Sequence, residues 1–140
     1  MVGHRSPRYA RFGWAAARAD DVANWLPARL TAALTVAAAP LVGGSAGGAW
    51  RAWRRDGAAH PSPNAGRCEA AAAGALGLRL GGRNVYGDRV EVRPHLGDGR
   101  PPRADDVARA ARLSRLVWTA ATVLAVTGRL VVAGRPAVAG

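Results

Sequence analysis

From Leu30 to Trp50 the chain runs 21 residues without a charge. As one helix, a run of that length rises about 30 Å, the thickness of a bilayer's hydrocarbon core. Such a segment either crosses a membrane or lies inside a helical bundle. Its Ala, Gly and Thr content makes it weakly apolar, so a span and a Gly-rich helix exit into a loop both stay open. Gly43 and Gly47, like Gly44 and Gly48, lie four apart, the spacing that lets membrane helices approach closely. Arg29 precedes the run, and Arg51, Arg54 and Arg55 follow it. Trp50 and Trp53 stand where aromatic rings favour the headgroup level.

A second uncharged run, Leu116–Gly128, has 13 residues, which is short for a span. It continues a polar helix over 104–115. It reaches across a membrane only if Arg115 and Arg129 snorkel and Leu130–Gly134 is included. A buried helix of a larger bundle is the alternative.

Charge needs a discount before it is used. All 20 basic residues are Arg, and with so much Ala and Gly this suggests a GC-rich genome. The net charge of +11 still admits nucleic acid, an anionic membrane surface or anionic substrates as partners. The 9 acids are interleaved with the arginines, and no basic tail exists, so nucleic acid is not the expected partner. Residues 51–115 hold 13 of the 20 arginines, which places this segment on the cytoplasmic side. Residues 1–29 carry five more, and a helix lying in the interface would also fit. Cys68 is alone, so no intramolecular disulfide forms. Residues 1–18 have no apolar run of the signal-peptide kind, and with Tyr9, Phe12 and Trp14 they read as an interfacial or loop-to-helix segment.

The rest reads as helices joined by turn-rich segments. Asp20 and Asp21 suit a helix start within 19–29. Residues 56–64 form a loop. A helix from about Pro63 to Leu80 follows, with Ser62 as N-cap and Gly81-Gly82 as its stop. Residues 83–103 are a Gly/Pro-rich loop with a short extended piece at Arg89–Arg93. The fold class is mainly α: a helical integral membrane protein fragment with Gly/Pro-rich connecting loops. It forms one unit over 1–140: helix or span about 20–50, motif loop and helix about 56–82, loop 83–103, and helix with a candidate second span about 104–134.

Several strings, in order, resemble the C-terminal half of the CobD/CbiB cobalamin biosynthesis proteins. They are Met1-Val2-Gly3-His4-Arg5; Phe12-Gly13-Trp14 with Ala17–Asp21 and Asn24–Arg29; Asp56-Gly57 with His60–Gly66, Glu69 and Ala70; Gly74–Gly77 through Leu80–Gly82, Asn84, Tyr86 and Gly87; and Arg93-Pro94 with Leu96-Gly97. Order and spacing agree over about residues 1–115. Members of that family are roughly twice as long, so the resemblance implies a truncated or split product whose Met1 matches an internal Met.

What the resemblance implies is adenosylcobinamide-phosphate synthesis in the cell membrane. A propionate carboxyl of adenosylcobyric acid, the corrinoid substrate, is joined to (R)-1-aminopropan-2-ol or its phosphate. The carboxyl is activated by ATP with Mg²⁺. Membrane lipid is a partner, and a missing N-terminal half or a second copy is another. A Schiff-base enzyme is excluded, because the chain has no Lys.

That chemistry points to particular residues. On a helix, Asp20, Asp21 and Asn24 fall within an arc of about 100° and could hold one hydrated Mg²⁺, or they could simply cap a helix start. At a helix starting at Ser62, the N–H groups of Asn64, Ala65 and Gly66 are donors for an anion such as a phosphate, with Arg67 adding charge. The alternative is an N-cap and nothing more. Gly66 would let a ligand approach the backbone. Glu69 is a candidate metal ligand or base for the amine, or a partner of Arg67 or Arg51; His60 is a candidate proton carrier or a surface loop residue. Arg29, Gly81, Gly82, Asn84 and Tyr86 complete the candidate substrate contacts. Gly44-Ser45-Ala46-Gly47 lacks the Gly-Lys-Ser/Thr ending of a phosphate loop. Cys68, His4, His60 and His95 lack zinc spacing, and Ser62 lacks a hydrolase elbow. Two further readings are a non-catalytic membrane module that needs a separate N-terminal half and, with +11 and five Trp, a basic nucleic-acid-binding protein.

Overall fold

The computed structural model describes residues 10–87 and 89–134. The Met1–Arg5 string and Tyr9 lie outside them. The described chain is mainly helical. Helix α1 spans Ala10–Ala23 and α2 Trp25–Ala38, followed by a 3₁₀ turn at Ala39–Val42. Helix α3 spans Ala46–Asp56 and α4 Ala65–Leu76. Strands β1, Leu80–Tyr86, and β2, Arg89–Leu96, precede α5, Asp106–Ala133.

Asp20 and Asp21 lie in the last turn of α1, not at a helix start. The Ala-rich segment before them extends the helix upstream, since Ala has the strongest helix preference. The joint with α2 is slight. The Asn24 N–H donates to the Asp20 carbonyl at 2.9 Å, and the Ala28 N–H to the Asn24 carbonyl at 3.0 Å.

The 21-residue uncharged run is not one helix. Pro40 tightens the chain into the 3₁₀ turn, and Gly43 closes it with φ 66°, a left-handed conformation that favours Gly. Ser45 then caps α3, its hydroxyl accepting the Gly48 N–H at 3.0 Å. The run therefore folds into two helices. Trp25–Val42 and α5 are each long and apolar enough to cross a membrane.

Helices α3 and α4 pack closely through glycine. A Cβ on Gly48 would lie 2.6 Å from the Gly74 carbonyl oxygen, and one on Gly44 would collide with the Ala75 carbonyl oxygen. Of the two four-residue spacings, Gly44/Gly48 makes the contact. Gly43 meets nothing within 4 Å, and Gly47 the Arg51 guanidinium at 3.3 Å and the Ser45 Oγ at 4.0 Å. The core follows suit: Ala38, Ala39, Ala49 and Ala75 are buried with Val42, Leu76, Leu78, Leu113 and Val117. Alanines add little apolar area each, so close backbone approach does much of the packing.

Helix α4 is shorter than expected and ends at Gly77. Gly81 and Gly82 belong to β1 rather than to a helix stop. The expected loop over 83–103 is largely an antiparallel hairpin. Its register runs from Leu80 opposite Leu96 to Tyr86 opposite Arg89, next to Gly87. Val85, Val90 and Val92 favour the extended chain, a preference masked by neighbouring Gly and Pro. The polar 104–115 segment and the second uncharged run form a single helix, α5. Arg100 holds its start, donating to both Asp106 oxygens at 2.7 and 2.8 Å. Arg109 donates to the Leu76 and Gly43 carbonyls at 3.5 and 3.3 Å, tying α5 to two helix ends.

Candidate functional site

The first turn of α4 faces the α1–α2 joint, and a cleft of about 340 Å³ opens between them. One wall carries Asp20, Asn24, Pro27, Ala28 and Thr31. The other carries Ser62, Asn64, Ala65 and Cys68. The first wall forms one helical stripe because the α1–α2 joint barely interrupts the 3.6-residue period.

Asn64 fixes the two walls. Its side-chain Nδ2 donates to the Asp21 carbonyl at 2.8 Å. That bond decides which end of the amide is which, and it leaves Oδ1 buried without a protein partner. Asn64 is 7% exposed. Asn24 donates its own amide N–H to Asp20 Oδ1 at 2.9 Å.

Asp20 and Asn24 therefore line the cleft together, while the Asp21 carboxylate is not among the groups lining it. Asp20, Asp21 and Asn24 do not fit Mg²⁺ as a three-residue ligand set. Asn24 turns an N–H toward Asp20, and only one carboxylate faces the cleft. No group of three or more His, Cys, Asp or Glu able to hold a metal occurs among the described residues.

Two of the three N-terminal amides expected to cradle an anion are already satisfied within the loop. The Ala65 N–H donates to Ser62 Oγ at 3.2 Å, and the Gly66 N–H to the Ser62 carbonyl at 3.2 Å. Gly66 serves packing: a Cβ there would collide with His60 Cβ and lie 2.9 Å from the Gly57 oxygen.

His60 is not a surface residue; its side chain is 9% exposed. The Ser62 N–H donates to its Nδ1 at 3.0 Å, so the neutral ring carries its hydrogen on Nε2. Nε2 faces Glu69 Oε2 at 3.9 Å. That is beyond hydrogen-bond distance, and Nε2 is buried without a hydrogen-bond partner; neither residue lines the cleft.

Cationic groups gather elsewhere on α2 and α4. Arg29 stacks on Trp25 at 3.9 Å and donates to the Trp25 carbonyl at 2.8 Å. It also feels the charge of Arg67, whose Nε is buried without a partner. Gly81, Gly82, Asn84 and Tyr86 are on the hairpin and do not join the cleft; Asn84 pairs with Glu91 and Gly82 with Arg93 in the ladder. Thr31, Pro27 and Cys68 were absent from the sequence-derived candidates. The spacing of Asp20, Asn24, Pro27 and Thr31 along nearly continuous helix was the signal that could have found the α2 members.

Residues 1–114 match the family described as CobD/Cbib protein. The "Cobalamin biosynthesis protein CobD" of Mycobacterium tuberculosis is 63% identical over 126 residues, covering 90% of this chain and 40% of that protein. The protein of the same name from Geobacter metallireducens is 57% identical over 102 residues, covering 73% and 32%. That from Rhodobacter capsulatus is 45% identical over 125 residues, covering 89% and 38%. The chain spans between about a third and two fifths of the length of these curated relatives. No solved structure matches it. With the family pattern running through the cleft, the His60–Glu69 pair and the hairpin alike, the chain belongs to the CobD/CbiB family of cobalamin biosynthesis proteins.

Proposed function

We propose that this chain serves adenosylcobinamide(-phosphate) formation, an amide synthesis. A propionate carboxyl of adenosylcobyric acid is joined to (R)-1-aminopropan-2-ol or its phosphate, with ATP activating the carboxyl. The observation that carries this reading is the cleft that sets Asp20 and Asn24 opposite Ser62 and Asn64. Amide formation needs a polar pocket for the amine, a cationic place for phosphate or carboxylate, and a proton acceptor for the attacking nitrogen. Arg29 and Arg67 supply the cationic place. Glu69, about half exposed beside His60, is the proton acceptor, and His60 holds or relays the proton through Nε2. Mg²⁺ enters only as the ion that accompanies ATP, and no step here depends on it.

The same proposal places Trp25–Val42 and the apolar part of α5, from Leu116 onward, in the cell membrane and residues 51–115 on its cytoplasmic side. Membrane lipid and the remaining length of the family protein, or a second copy, are its partners; nucleic acid is not. A second reading is a non-catalytic membrane module that acts only beside that remaining length. It is favoured by α5, where Val123, Leu124, Val126 and Leu130–Val132 are all more than half exposed.

The test is complementation of a strain lacking this synthase, fed cobyric acid. The chain is expressed alone and with a family N-terminal half. Growth with the chain alone, lost in Glu69→Ala, is the result the catalytic reading expects; growth only with the added half makes it one part of a split enzyme. No growth in either case, with the protein present in membranes, sinks the catalytic reading and leaves the module.

A further inference from the structure

We propose that the trough between α2 and α5 holds one acyl chain of an anionic phospholipid, whose phosphate group pairs with Arg115. The proposal rests on the placement of α5 in the membrane from Leu116 onward, and it adds a defined lipid site to that placement.

Helices α2 and α5 meet along Ala38, Leu113 and Val117, which are buried together in the core. Beside that line of contact a trough of about 430 Å³ stays open. Ala37, Thr119 and Ala120 line it, and their small side chains leave it unfilled. Leu34, Leu41 and Leu116 add apolar surface to its walls. Leu41 is 73% exposed, so that wall is uncovered. The Thr119 hydroxyl is the one neutral hydrogen-bonding side-chain group in the lining. Hydrocarbon fits such walls, whereas water would find too few polar partners. A helix with its side chains is about 10 Å across and would lie over the trough; a flexible acyl chain lies in it.

Arg115 selects the headgroup. It is the one charged residue lining the trough, and the last charge before the 13 uncharged residues Leu116–Gly128. Its guanidinium therefore stands where the helix leaves the headgroup level for hydrocarbon. The helix supplies no counter-charge there. Asp106, the single acid of α5, lies about 13 Å back along the axis. It is already taken by Arg100 and Arg109. The planar fork of guanidinium N–H donors matches two phosphate oxygens at once. Arg112, exposed one turn earlier, adds a second positive charge that repels the cationic head of a zwitterionic lipid. A headgroup of net negative charge is thus favoured.

The test is lipid retention by the purified full chain in detergent, read by native mass spectrometry. Phosphatidylglycerol and phosphatidylcholine of the same acyl chains are offered in equal amounts. One phosphatidylglycerol per chain is expected, favoured over phosphatidylcholine about tenfold, the worth of one charge-assisted hydrogen bond. Arg115→Gln should bring the two lipids to parity, while Arg83→Gln, the same charge change on the hairpin, should keep the preference. Ala120→Leu fills the trough, leaves the charge in place and should weaken both lipids; it also serves if Arg115→Gln does not fold. Helix content by circular dichroism shows which variants are folded. Millimolar inorganic phosphate should not displace the lipid, because it brings no acyl chain.

The proposal is overturned if the two lipids bind the folded wild type alike, if folded Arg115→Gln keeps the preference, or if Ala120→Leu binds lipid as wild type does. Displacement by inorganic phosphate would overturn it too, as would displacement by a co-purified family N-terminal half, since the trough is then a helix contact. The membrane placement has its own readout, retention of the chain in membranes washed with alkaline carbonate. Retention without a lipid preference keeps the span and removes the site; loss from the washed membranes removes the placement, and the proposal with it.

Discussion

Asn64 reaches across 43 residues of sequence to donate its side-chain amide to the Asp21 carbonyl at 2.8 Å, joining the first turn of α4 to the last turn of α1. The bond sets the width of the cleft, because Asp20 and Asn64 stand on its opposite walls. Removing it leaves a backbone acceptor of α1 with one partner fewer and opens space at a 7%-exposed position. Asn64→Ala is expected to destabilise the chain by about 1–3 kcal/mol. Denaturant titration in mild detergent measures it.

The α3–α4 contact predicts a contrast between neighbouring glycines. Gly48→Ala places a methyl 2.6 Å from the Gly74 carbonyl oxygen, a backbone atom that cannot move alone. The expected cost is about 1–3 kcal/mol. Gly47→Ala, one residue away, meets the flexible end of Arg51 at 3.3 Å and the Ser45 Oγ at 4.0 Å. It should be neutral or stabilise by up to about 1 kcal/mol through helix preference. Thermal melts of the two variants, followed by circular dichroism, decide between this packing and a loose glycine-rich exit.

That pair also shows what was legible in the sequence. The four-residue glycine spacing was visible, but its partner, Gly74, was not, because nothing local links it to Gly48. The uncharged run was visible too, yet Pro40, Gly43 and Ser45 carry a turn and a cap that outweigh its apolar character. The polar-to-apolar continuity of α5 was read correctly, since a helix period is a local property. The hairpin was missed beyond Arg89–Arg93 because Gly81, Gly82, Gly87 and Pro94 hide two strands that only pairing makes stable. In the cleft, spacing had grouped Asp20 and Asn24, together with Asp21, on one helical arc. The closing of the α4 N-terminus by Ser62, and the burial of His60 over Gly66, depend on a loop geometry that composition does not encode.

Asp56 predicts an acid-labile link. Its carboxylate accepts from Arg55 at 2.6 and 2.8 Å and, through Oδ2, from the Gly97 N–H at 2.8 Å, fastening the hairpin base to α3. The Arg55 hydrogen bonds, with help from Gly97, hold the Asp56 carboxyl below its ordinary range despite some burial. A carboxyl lowered on folding stabilises the fold above its unfolded pKa of about 4, and the stabilisation is lost as pH falls through the folded value. Wild-type stability should therefore drop below about pH 4 more steeply than that of Asp56→Asn, which lacks this titration and starts lower. Unfolding midpoints from pH 7 to pH 3 would show the two curves converge; parallel curves would refute the link.

Cys68 carries the last prediction. It is half-buried on α4, and its Sγ meets the Ala28 carbonyl at 3.5 Å. Burial pushes the thiol pKa up, and the neighbouring Glu69 charge pushes it further. The thiolate is the reactive form, so the folded chain should react with iodoacetamide more slowly than the denatured chain at the same pH. Glu69→Gln removes the second cause and leaves the first, so its rate should lie between the two. Labelling rates across pH 7–10 separate the causes: a shift of the whole profile to lower pH in Glu69→Gln reports the lost charge, whereas an unshifted profile would mean that Glu69 does not act on the thiol. The comparison also locates Glu69 for the proposed amide synthesis. A carboxylate that acts on Cys68 at the cleft wall and lies 3.9 Å from His60 sits between the proposed amine pocket and the proposed proton relay.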